Sequence, residues 1–105
     1  MSHGESYLQV VTGRFTAHWL YLLDEAEAPL SFESTLVLLH ALLDLTATLD
    51  AQVIYATHSP LVAAMPGADI YELGANGLVP KRWDELDMVD LWRRLLDDPG
   101  RFFLL

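Results

Sequence analysis

The 105-residue chain carries 6 basic against 15 acidic residues, a formal net charge of −9, with 52% hydrophobic residues and no cysteine. That length allows one small domain or part of a larger one, and the apolar content excludes a disordered chain. The acid excess, with no basic cluster beyond Lys81-Arg82 and Arg93-Arg94, is wrong for a nucleic-acid-binding face, and the lack of cysteine excludes disulfides and thiolate metal sites.

The chain opens Ser2-His3-Gly4-Glu5-Ser6, followed by Tyr7, Leu8, Val11 and Phe15 at helical spacing. Ser2 with Glu5 three residues later reads as a capping box. Read functionally, backbone amides with a glycine and two serines at a helix start form an anion site suited to phosphate; both readings stand on these residues. Trp19-Leu20-Tyr21-Leu22-Leu23-Asp24-Glu25 is then an apolar run ending abruptly in two carboxylates. It is too short for an ordinary helix and lacks the alternation of a half-exposed strand, so a strand covered on both faces is expected.

Ala26 to Leu30 form a turn, Ser31 caps the next helix and Glu33 suits its dipole. Phe32, Leu36, Leu39 and Leu43, with Leu42, Leu45 and Leu49, recur at three and four to give it a wide apolar face. His40 within it reads as a packed or partly exposed helix histidine. Gln52-Val53-Ile54-Tyr55-Ala56-Thr57-His58 repeats the design of the first strand, a buried run ending in a titratable group. Strand, crossover helix and strand in one sheet are parallel and right-handed. Both strands then end at one sheet edge, where ligands bind in open parallel sheets, and Asp24, Glu25 and His58 are expected to converge there.

Ser59-Pro60 starts a short helix that Pro66-Gly67 ends. Asp69 to Leu73 alternate as a strand, Gly74-Ala75-Asn76-Gly77 turn, and Leu78-Val79 return as an antiparallel partner. From Asp84 a helix is predicted with Met88, Leu91, Trp92 and Leu95 on one face, broken by Asp97-Asp98-Pro99-Gly100. The apolar end, Phe102 to Leu105, needs a surface to cover it. No apolar run approaches the roughly 18 residues needed to cross a bilayer, and the N-terminus lacks the order of a signal peptide, so no membrane partner and a cytoplasmic location are expected.

Ser2-His3-Gly4-Glu5-Ser6, then the strand closed by Asp24-Glu25, then Ala56-Thr57-His58-Ser59-Pro60, in that order and spacing, resemble the C-terminal half of an ABC-type (ATP-binding cassette) ATPase domain. The likeness is to the soluble ATPases related to the chromosome-maintenance and recombination ATPases, and it covers residues 1–105. It implies an α/β fold of the P-loop NTPase type: three layers, parallel strands with crossover helices, and here a small C-terminal hairpin and helix. By the same resemblance Ser2, Gly4 and Glu5 match the signature motif that caps the γ-phosphate of ATP on an opposite protomer. Asp24 matches the Walker B aspartate that holds Mg²⁺ through water, Glu25 the catalytic glutamate, and His58 the switch histidine at the γ-phosphate. Ala28-Pro29-Leu30-Ser31 occupies the place of the loop that signals across the dimer.

The sequence departs from that pattern at His3, Glu5 and Ala26, where glycine, glutamine and proline are commoner. A P-loop needs glycines ahead of a Lys-Ser or Lys-Thr pair, yet the only lysine is Lys81, between Pro80 and Arg82. The glutamine loop and adenine-stacking strand are missing too. The expectation is half a site: a fragment, or a subunit that works with a P-loop-bearing half or partner and dimerises through the nucleotide. Any nucleic acid would have to be bound by sequence outside this chain. Two alternatives stand beside it: a metal-dependent hydrolase using Asp24, Glu25, Glu27 and His58 as ligands, and a degenerate, non-catalytic interaction module.

Overall fold

A computed structural model describes residues 20–48 and 50–104. The signature residues Ser2, Gly4 and Glu5, the first predicted helix, and Trp19, Leu49 and Leu105 lie outside the described residues. The chain forms two compact units, one ending at Thr57 and the other beginning at His58.

In the first unit, β1 (Leu20–Asp24) and β2 (Gln52–Ala56) pair in parallel, in register from Leu20 opposite Gln52 to Asp24 opposite Ala56. The helix α1 (Phe32–Thr48) connects them and packs against β2, as a parallel pair requires. Its start is built by Ser31: the hydroxyl accepts the Ser34 N–H at 3.1 Å, and the carbonyl accepts both the N–H and the hydroxyl of Thr35. Asp50, with φ of 50°, turns the chain into β2, a left-handed conformation that a short polar side chain tolerates.

Two expectations about packing need correction. The buried stripe of α1 is Thr35, Leu38, Leu39, Leu42 and Leu45. Phe32 and Leu36 lie on the exposed side, with Leu43 half-buried. An all-round apolar helix offers two adjacent faces, and periodicity alone does not choose which one meets the sheet. Among the described residues the strands are likewise covered on one face only. Tyr21, Leu23, Val53 and Tyr55 are half-buried, while Leu20, Leu22 and Ile54 are 55%, 71% and 53% exposed. One helix layer covers one face of a sheet, so the residues alternating with the half-buried set stay open.

The second unit begins with α2 (Pro60–Ala63), capped by the Ser59 hydroxyl, which accepts the Val62 N–H at 3.2 Å, with Pro60 at the first helical position. The strands β3 (Tyr71–Gly74) and β4 (Gly77–Pro80) form an antiparallel hairpin pairing Leu73 with Leu78. Gly77 takes a φ of 84° at its turn, where glycine bears no Cβ penalty. The strand begins at Tyr71, two residues later than expected, although the Ile70 carbonyl still accepts the Lys81 N–H at 3.0 Å.

The single helix expected from Asp84 is split in two. A 3₁₀ turn, Trp83–Glu85, is followed by Leu86 in extended conformation and then by α3 (Asp87–Asp97). The break turns Leu86 inward: Leu86, Val89 and Val62 are the buried residues among those described in this unit. Trp83 is fixed by a 2.8 Å bond from its Nε1 to the Pro60 carbonyl, and the Arg93 guanidinium sits 5.4 Å from its ring centroid. The expected face of Leu91, Trp92 and Leu95 lines, with Phe102, a cavity of about 150 Å³. A second 3₁₀ turn, Pro99–Phe103, packs on α3 and brings Phe102 there, while Phe103 and Leu104 stay largely exposed. No helix among the described residues is long and apolar enough to cross a membrane.

Candidate functional site

The parallel register decides where the carboxylates go. Asp24 is the last residue of β1 and lies level with Ala56, the last of β2, so the two strands finish at the same edge. The ladder then runs one bond further, with the Glu25 N–H donating to the Ala56 carbonyl at 2.8 Å. Asp24 and Glu25 are both exposed at this strand end. Thr57 closes the unit, and His58, also exposed, is the first residue of the next.

Glu25, like Asp50, has left-handed backbone, with a φ of 47°. Left-handed backbone in a residue with a Cβ costs roughly 1–2 kcal/mol, and such strain persists only where the surroundings hold it. The holding contacts are specific. The Glu25 carbonyl accepts the Ala28 N–H at 3.0 Å, the Glu27 carbonyl accepts the Leu30 N–H at 2.8 Å, and Ala26 is buried beneath them at 5% exposure. Two overlapping turns, Glu25 to Ala28 and Glu27 to Leu30, thus carry the chain into the segment Ala28 to Ser31 and the cap of α1.

Glu27, one of the four ligands of the metal-hydrolase alternative, is engaged by protein groups. Its Oε2 accepts the Tyr55 hydroxyl at 2.9 Å, its Oε1 accepts the Thr57 hydroxyl, and its own N–H donates to the Tyr55 oxygen at 3.0 Å. Both carboxylate oxygens serve protein hydroxyls in a half-buried setting, where such a bond is structural. Among the described residues no group of three or more His, Cys, Asp and Glu side chains is arranged to hold a metal ion. A single carboxylate at a strand end, Asp24, remains suited to a hydrated Mg²⁺, which binds through one or two carboxylates, waters and substrate phosphates. His40 lies exposed on α1.

From sequence, Tyr55 is expected only as part of a strand and Thr57 only as part of the run Ala56 to Pro60, neither with a role toward Glu27. The signal available is a tyrosine in β2 and a threonine two residues later, just past the strand end, a spacing at which two hydroxyls can reach one carboxylate. No protein-family model matches this chain, and no match was found among curated proteins or solved structures.

Proposed function

We propose that this chain contributes the acidic half of an ATP-hydrolysing site of the ABC type. In this reading Asp24 carries the hydrated Mg²⁺, Glu25 orients the attacking water, His58 contacts the γ-phosphate, and Ser2, Gly4 and Glu5 cap a nucleotide held by another protomer. The observation that supports it most is the end of β1. An aspartate and a glutamate leave a parallel strand at a level edge, and the glutamate is held in a backbone conformation that costs free energy without contributing to packing. Phosphoryl transfer depends chiefly on positioning and charge stabilisation, and a carboxylate fixed by its own backbone serves that end.

The open apolar face of β1 and β2 also supports a half-site, because parallel sheets are normally covered on both faces. The cradle for the β- and γ-phosphates has to come from a glycine-rich Lys-Ser or Lys-Thr loop that this sequence does not contain. The test is to read the coding sequence upstream of Met1 and that of the neighbouring genes for such a loop. The corresponding extended or paired protein is then assayed for magnesium-dependent ATP hydrolysis. The expected result is turnover that Glu25→Gln lowers by about 100-fold or more while ATP is still bound. A protein containing the loop that binds no nucleotide, or one whose turnover ignores Glu25→Gln, would sink the proposal.

A further inference from the structure

Glu27 takes no part in the proposed chemistry, yet both its carboxylate oxygens accept protein hydroxyls and its own N–H donates to one of them. We propose that Glu27, Tyr55 and Thr57 form a positioning clasp that holds Glu25 in its left-handed conformation and so aims its carboxylate. The clasp is read from the chain's own geometry, and only its value to catalysis rests on the ATPase reading above.

Glu25 is pinned to β2 on its N-terminal side by its own N–H, which donates to the Ala56 carbonyl. Two residues later Glu27 is pinned to the same strand end by three bonds: its N–H and Oε2 to the Tyr55 hydroxyl, and its Oε1 to the Thr57 hydroxyl. These partners are 28 and 30 residues away in sequence, so they are supplied by the tertiary fold and are out of reach of the local turn. Between the two anchors only Glu25 and buried Ala26 are left to absorb the reversal of the chain, and the positive φ falls on Glu25. Release of the second anchor frees the turn to relax toward extended backbone, which residues with a Cβ prefer. The Thr57 hydroxyl is the sensitive member, because it sits on the last residue of the unit and reaches Glu27 from beyond the end of the ladder.

The test uses the full chain, isotopically labelled, with Thr57→Val, Tyr55→Phe, Glu27→Gln and the conservative Thr57→Ser. A positive φ brings the amide and α protons of Glu25 close together and gives a strong intraresidue NOE. Thr57→Val and Glu27→Gln are expected to weaken that NOE and to speed exchange of the Glu25 and Ala28 amides about tenfold. The amides of Leu38 and Leu42 in α1 keep their protection, and Thr57→Ser behaves as the parent. Retention of the NOE and of amide protection in Thr57→Val, Tyr55→Phe and Glu27→Gln alike overturns the clasp. If Glu27→Gln does not fold, the two hydroxyl variants decide. In a form that hydrolyses ATP, Thr57→Val lowers kcat about tenfold with KM for ATP within about twofold, and Thr57→Ser restores it. Loss of the NOE in a protein that never hydrolyses ATP leaves the clasp standing and removes only the ATPase reading.

Discussion

Glu25 and Asp50 share a left-handed backbone, with φ of 47° and 50°, but their side chains make the two positions unequal. An aspartate there can satisfy neighbouring backbone groups locally, whereas a glutamate's longer side chain gains little from doing so. Glu25→Gly is therefore expected to stabilise the first unit by about 1 kcal/mol, and Asp50→Gly by less. Slower amide exchange at Leu38 and Leu42 would register the gain. Equal or lower stability in Glu25→Gly would mean that the strain is absent. A candidate catalytic position whose removal stabilises the fold is the trade expected of a functional site.

The Glu85 carboxylate is perturbed chiefly by a backbone hydrogen bond. The Arg82 N–H donates to Glu85 Oε1 at 2.8 Å and is the main reason the Glu85 carboxyl sits below its ordinary value; desolvation opposes it, and the Arg82 and Lys81 charges lower it further. A depressed folded-state value contributes stability that is present above the unfolded value and lost as pH falls through the folded one. A carbon-detected titration of Glu85 should thus show a midpoint below that of an ordinary glutamate. Arg82→Ala, which keeps the N–H, should retain most of the depression, while Arg82→Pro should remove most of it. Proline suits the extended Arg82 backbone, with φ of −80° and ψ of 156°, so the comparison separates the hydrogen bond from the charge. If Arg82→Ala alone restores the ordinary value, the charge is the cause.

At the scale of elements, the start of α3 shows how one helix borrows its cap. Leu86 occupies the N-cap position with a buried apolar side chain that can accept nothing, which leaves the first-turn amides to find partners elsewhere. Glu72, in β3, supplies one: its Oε2 accepts the Asp87 N–H at 2.8 Å. Glu72→Ala should destabilise the second unit by about 1 kcal/mol, seen as faster exchange of α3 amides with those of α1 unaffected. A change smaller than about 0.3 kcal/mol would mean that solvent caps the helix as well as the glutamate does.

The same contact marks the limit of reading elements from sequence. The strands, α1, the Ser31 and Ser59 caps and the hairpin were legible because each rests on local pattern: apolar runs, capping hydroxyls and a turn between glycines. The split of the last helix was not, since Asp84 to Leu95 has unbroken helical periodicity and the break is imposed by burial of Leu86 against its own unit. Of the site, Asp24 and Glu25 were legible as a strand end, and their level placement with Ala56 followed from parallel pairing. The clasp was not, because Tyr55 and Thr57 lie 28 and 30 residues from Glu27 and nothing in a tyrosine or a threonine advertises a distant glutamate.

For the whole molecule, the apolar surface left on each unit bears most directly on function. In the first unit Leu22 lies beside Ile54 in the register, with Leu20 on the same face, and all three are more than half exposed. In the second, the hairpin sets Leu73 against Leu78 and Tyr71 against Pro80 on one face, with Tyr71, Leu73 and Leu78 more than half exposed. Surfaces of this kind bind dyes, partners or copies of themselves. The half-site reading makes a sharper demand of the first unit: its open sheet face is the one that the phosphate-loop half would cover. Leu22→Lys with Ile54→Lys should leave α1 amide protection in the isolated chain close to parental, because both side chains already meet solvent. The same pair should abolish assembly with a loop-bearing half, and with it ATP turnover, even though Asp24, Glu25 and His58 are untouched. Full activity in the lysine variant would show that the face is not used for assembly, and the apolar strands would then need another reason for their composition.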